Sequence, residues 1–148
     1  MKKVLLILAL LFSATFASEL SLAKNFKDAV IQAGKGEKPI MFIVSRHTCK
    51  YCMILEKETL SDPTVVNRLN NGFVNYVAYT DDNDYFPDEY WRPGTPAIWF
   101  LDDSGRAMSE PIMGAIDAKN LLKVLDIVGE RFKKVKKMEK YNYTRSKL

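Results

Sequence analysis

Apolar residues fall into separate blocks whose spacing alternates between helical and extended. Val4 to Phe12 is apolar on every face and only about ten residues long, short of the roughly 20 that span a bilayer. From Ser21 the positions Leu22, Phe26, Ala29, Val30 and Ala33 recur at helical spacing, with Gly34 and Gly36 placed to end the helix they predict. Ile40 to Val44 follows Lys38-Pro39 as a continuous apolar run, the pattern of a strand covered on both faces. Met53, Ile54, Leu55 and Leu60, interleaved with Glu56, Lys57 and Glu58, predict a helix reaching Ser61. Asp62 and Pro63 then read as N-cap and first residue of a short helix through Val65, Val66 and Leu69, stopped by Asn70-Asn71-Gly72. Phe73 to Tyr79 is a β-branched and aromatic strand.

A polar loop with one helical turn is expected from Asp81 through Trp91, followed by the strand Ala97 to Leu101. Asp102-Asp103-Ser104-Gly105 turns it into a hairpin with a strand from about Arg106 to Met113. The last helix opens at Asp117, carries Leu121, Leu122, Leu125 and Val128 on one face, and runs into a lysine-rich end. No repeat or low-complexity linker interrupts this order.

Charge changes the picture at both ends. Lys2 and Lys3, the apolar run and the small residues up to Ala17 make residues 1–17 a secretory signal peptide with cleavage expected after Ala17. The formal charge is +4, but residues 131–148 carry eight Lys/Arg against Glu139, leaving residues 18–130 at −5. An acidic domain over 18–130 thus precedes a basic helical tail over 131–148. A nucleic-acid partner would need its basic patch on the body of the fold. The tail suits an anionic membrane surface or an acidic partner instead.

The stretch Arg46-His47-Thr48-Cys49-Lys50-Tyr51-Cys52 holds the only two cysteines and the only histidine. Two cysteines are too few for a disulfide scaffold, and their loop is too small to add much stability. In an exported chain the pair is free to oxidise. A cysteine opening a helix meets unpaired N–H groups and the positive end of the helix dipole, which favour its thiolate. Cys49 is therefore the expected nucleophile and Cys52, one turn on, the resolving thiol. Lys50 and a protonated His47 have the right sign to support the thiolate. Two other readings of the same residues are an inert bridge and a Cu(I) site built from His47, Cys49, Cys52 and Met53.

Helix, strand, CxxC helix, strand, Thr-Pro loop, hairpin, helix is the element order of the thioredoxin fold, an α/β architecture with a central mixed sheet of four to five strands flanked by helices. Cys49-Lys50-Tyr51-Cys52 after a buried strand resembles the active site of that family, and Thr95-Pro96 before Ala97 resembles its cis-proline element. The string Thr59-Leu60-Ser61-Asp62-Pro63, with Val65 and Phe73-Val74, resembles secreted thioredoxin-like proteins, among them the C-terminal domain of the periplasmic disulfide reductase.

The resemblance implies a periplasmic thiol–disulfide oxidoreductase acting on cysteine-containing exported proteins and supplied with electrons by a membrane partner, with no cofactor beyond a Cys49–Cys52 redox-active disulfide. It implies that Pro96 packs on the CxxC and that Thr95 offers its backbone to an extended substrate. Reductant is the expected direction; oxidant or isomerase activity uses the same fold. Tyr51, Tyr85, Tyr90 and Trp91 are candidates for an apolar rim around the site. The chain departs from typical thioredoxins at Ile43, where they bury a carboxylate, at Thr48, where they carry Trp, and at Lys50-Tyr51, where they carry Gly-Pro. Glu56, four residues after Cys52 on the helix, is a candidate to accept the Cys52 proton, the other reading being a side chain that simply faces water.

Overall fold

A computed structural model describes residues 19–147; the expected signal peptide, residues 1–17, lies outside them. Helix α1 (Phe26–Gly36) is capped by Asn25, whose side chain accepts the Asp28 N–H at 2.9 Å. This cap excludes Leu22 from the helix predicted for it. Leu22 instead forms a parallel bridge to Asn75, and the Ala23 N–H donates to Asn75 O at 2.8 Å. Gly34 and Gly36 lie inside α1 rather than ending it, and Glu37 closes it in the left-handed region at φ 47°.

Strand β1 (Ile40–Ser45) is buried along its whole length. Helix α2 (Lys50–Ile54) continues into a single π-helical turn, Leu55–Thr59, and α3 (Pro63–Gly72) starts where expected, with the Asp62 carboxylate accepting the N–H groups of Thr64 and Val65 at 2.8 and 3.1 Å. Strand β2 (Val74–Tyr79), a 3₁₀ turn over Asp88–Tyr90, β3 (Ala97–Leu101) and β4 (Ile112–Met113) follow. Helix α4 (Ala118–Arg145) is capped by Asp117, which accepts the Asn120 N–H at 2.9 Å. The hairpin is shorter than predicted. Only Ile112 and Met113 pair with β3, joined by a lone bridge from Leu101 to Ala107, and Pro111 between them has no N–H to give a ladder. Gly105 in the intervening turn sits at φ 87°, and a Cβ there would meet a Val30 methyl at 2.9 Å, so both backbone and packing require glycine.

The strands form one mixed sheet in the order β2-β1-β3-β4, with β1 parallel to β2 and antiparallel to β3. Ile40, Phe42 and Val44 pack on one side with Ala29, Ala33, Tyr76, Tyr90 and Trp99. Met41 and Ile43 pack on the other with Leu55, Val65, Leu69, Leu121 and Leu125. Alternate residues of β1 thus feed two cores, which is why its apolar run is unbroken. The registers Ser45↔Tyr79 and Val44↔Ala97 bring the segment after β1, the end of β2 and the Thr95-Pro96 loop to one edge of the sheet. Ile43 is fully inside the second core, so no carboxylate rises from β1 beneath the cysteines.

Candidate functional site

Cys49 stands at the N-cap of α2 in an extended conformation, and its sulfur accepts the Cys52 N–H at 3.3 Å. The same sulfur lies 3.3 Å from Thr95 O, to which the thiol donates. The Thr95–Pro96 peptide is cis. Both thiols are free; Cys49 is half-buried and Cys52 has no exposed surface. An outer sulfur thus meets solvent in front of an inner one on the next helical turn.

Their acidities separate in opposite directions. Burial pushes the Cys49 thiol up, but hydrogen bonds from the Cys52 and Thr95 side chains and from the Cys52 and Tyr51 N–H groups outweigh it, and its pKa falls below that of an ordinary thiol. Burial pushes Cys52 up, its contact with Cys49 adds to this, and the opposing Thr95 and Ser45 hydrogen bonds leave it raised. Of the two thiols, Cys49 therefore gives up its proton more readily and Cys52 holds its own more tightly.

A polar chain leads away from Cys52. Ser45, the buried last residue of β1, donates to Glu56 Oε1 at 3.1 Å, and its side chain is among the groups that act on the Cys52 thiol. Tyr79, the last residue of β2, donates to the same oxygen at 3.1 Å. Burial and then the Glu56 charge push the Tyr79 phenol up to about 12, so it remains a donor. Glu56 is half-buried on the π turn and does not simply face water. Ser45 and Tyr79 were missed by sequence reasoning; the one available signal was a serine closing an otherwise apolar strand.

His47 is elsewhere engaged. Its Nε2 pairs with Asp82 Oδ2 at 2.8 Å, its ring stacks on Tyr79 with centroids 4.0 Å apart, and its backbone N–H donates to Asp81 at 2.9 Å. The Asp82 hydrogen bond raises its pKa above the ordinary imidazole value. Among the described residues, the trio of His, Cys, Asp or Glu whose ligand atoms gather within 4.8 Å is His47, Asp81 and Asp82, all exposed; the sulfurs are not in it. This geometry does not assemble the Cu(I) set of His47, Cys49 and Cys52. Lys50 is exposed, and Tyr51, 58 % exposed, offers its ring to solvent beside Cys49. Tyr85 and Trp91 are exposed on a groove of about 660 Å³ after the end of β2, lined also by Asp84, Phe86 and Asp88. Tyr90 leaves the expected rim. It is 2 % exposed, packs against Phe42 and Trp99, and donates its hydroxyl to Gly105 O at 2.5 Å, because the 3₁₀ turn points it into the core.

The family model of the thioredoxin-like domain matches residues 26–129, a span that contains both cysteines, Glu56 and Pro96. The chain belongs to the thioredoxin-like family. Among solved structures it is similar to a thioredoxin from Thermus thermophilus (24% identity over 75% of this chain and 88% of that one, TM-score 0.63). It is also similar to the DsbH oxidoreductase (16%, 76% and 86%, TM-score 0.61) and to the oxidised C-terminal domain of Neisseria meningitidis DsbD (20%, 72% and 97%, TM-score 0.55). These likenesses are of fold. A curated relative, anterior gradient protein 3 of Mus musculus, is 27% identical over 94 residues, 62% of this chain; the chain spans about half of that protein, 55%.

Proposed function

We propose that this thioredoxin-like protein is a thiol–disulfide oxidoreductase that acts as a reductant on exported proteins in the periplasm. The observation that carries this reading is the split pair itself: an accessible, acidified Cys49 between the Cys52 N–H and Thr95 O, with a protonated Cys52 buried behind it. The Cys49 thiolate attacks one sulfur of a client disulfide and expels the other as a thiolate, forming a mixed disulfide. Cys52 then passes its proton to Ser45 as Ser45 passes its own to Glu56. The resulting thiolate attacks the Cys49 sulfur and expels the second client thiolate. Two electrons move to the client and a Cys49–Cys52 disulfide remains, to be reduced by the dithiol of a membrane partner. Thr95, Pro96 and Tyr51 border the sulfur that the client must approach, and the exposed Tyr85 and Trp91 offer apolar contact to an unfolded segment.

Periplasmic location is supported by the signal-like residues 1–17, and the reducing direction by the likeness of Thr59 to Pro63 to the periplasmic reductase domain. Equilibration with glutathione buffers tests the direction. A potential near about −270 mV supports a reductant, and one near about −120 mV would reassign the protein as an oxidant. Failure to reduce insulin disulfides faster than a free thiol would remove the activity altogether.

A further inference from the structure

We propose that the outward face of α4, from Ile127 to Arg145, docks the domain on an anionic lipid surface. Helix α4 is 28 residues long, yet Phe132 is the last of its residues to be buried. Beyond it the helix is held to the body by salt bridges: Lys136 to Asp103 at 2.9 Å, and Glu139 to Arg106 at 3.9 Å. Ile127, Arg131, Lys134, Met138, Tyr141 and Arg145 follow one another at steps of four and three, so they lie in a single stripe along the helix. The face that buries Leu121, Leu125, Val128 and Phe132 is a different one. Ile127, Met138 and Tyr141 are 67, 65 and 64 % exposed, large apolar side chains with nothing over them.

The charges tell what should cover the stripe. The acidic residues of α4 are already used: Asp126 pairs with Arg68, Glu130 with Lys133, and Glu139 with Lys136 and Arg106. Among the described residues, the stripe's three cations, Arg131, Lys134 and Arg145, have no ion-pair partner. An uncompensated cationic surface thus alternates with apolar side chains over roughly 27 Å at 1.5 Å per residue. An acidic protein or a nucleic acid would answer the cations but leave Ile127 and Met138 against polar groups. A bilayer interface answers both: headgroup phosphates meet the cations, the acyl boundary takes the apolar side chains, and Tyr141 straddles the two. No described helix is long and apolar enough to cross a membrane, so the contact lies in the interfacial plane.

The test is co-sedimentation of the full chain with phosphatidylcholine vesicles, with and without about one third phosphatidylglycerol, the gain on adding anionic lipid being the readout. Lys2, Lys3 and the apolar run Val4 to Phe12 bind vesicles on their own account, so each arm is repeated with residues 18–148 alone, the form expected after cleavage at Ala17. We expect binding to rise by about a hundredfold with anionic lipid. Arg131→Gln/Lys134→Gln/Arg145→Gln should lose most of that gain, at about fivefold per removed cation, and Met138→Ser/Tyr141→Ser should separately lower binding to the anionic vesicles by about tenfold or more. Thermal unfolding and thiol turnover should remain as in the unmodified chain. No gain with anionic lipid would overturn the proposal. So would binding to the anionic vesicles left undiminished by Met138→Ser/Tyr141→Ser, because a surface that answers to charge alone is not one whose apolar side chains enter the acyl boundary.

Discussion

Cys49 and Cys52 are three residues apart and differ in everything that decides thiol chemistry. One is half-exposed and acidified by the side chains of Cys52 and Thr95 and the N–H groups around it; the other is enclosed, and burial raises its pKa. A buried thiol can attack only after its proton leaves, and Ile43 removes the usual carboxylate from below. Ser45 and Glu56 supply the route from the opposite strand end and the π turn, with Tyr79 holding the carboxylate in place. Glu56→Gln keeps an oxygen for both hydroxyl donors but cannot take a proton. Resolution of a mixed disulfide on Cys49 should then slow by about a hundredfold, the lower range for general-base catalysis, with the attack by Cys49 little changed. Stopped-flow resolution of a pre-formed mixed disulfide checks this; an unaltered rate would remove Glu56 from the proton path.

Among the elements, the π turn Leu55–Thr59 is fastened at its end. The buried Thr59 hydroxyl donates to Ile116 O at 2.6 Å, tying the helix that carries the cysteines to the segment before α4. Thr59→Val preserves shape and strands that carbonyl, so denaturant unfolding should report a loss of about 1–3 kcal/mol; no loss would mean water replaces the hydroxyl. Elements with strong local signals were legible in the sequence. The apolar runs became β1, β2 and β3, and the side chains of Asp62 and Asp117 cap α3 and α4 as read. Leu22 misled because its four-residue spacing to Phe26 imitates a helix, whereas the Asn25 cap and the Asn75 bridge decide its place. The π turn and the buried Tyr90 left no trace in spacing. Ser45 and Tyr79 meet Glu56 only through the β1–β2 register, a contact between residues 34 apart that no local pattern encodes.

On the scale of the whole molecule, the raised phenols link fold and pH. Burial, then neighbouring Glu56 for Tyr79 and Glu89 for Tyr90, pushes both up to about 12. An unfolded tyrosine ionises near about 10. Between these values the native state keeps protons that the unfolded chain has lost, so stability falls as pH rises through the window. Thermal melts from pH about 9 to 12 should show that decline, and Tyr79→Phe should shallow it; an unchanged slope would place the tyrosine outside the linkage. The same architecture sets two surfaces apart, the sheet edge that gathers Cys49, Cys52 and Thr95, and the cationic outer stripe of α4.

The most direct test of the account is to trap the intermediate. The single variants Cys52→Ser and Cys49→Ser are each exposed to oxidised glutathione, and the adducts are mapped by mass spectrometry. Cys52→Ser should accumulate a stable one-to-one mixed disulfide on Cys49, formed faster than on a free thiol at neutral pH, while Cys49→Ser should remain almost unmodified at the buried Cys52. Equal adducts on the two cysteines, or a Cys49 no more reactive than a free thiol, would contradict the division into an attacking and a resolving sulfur.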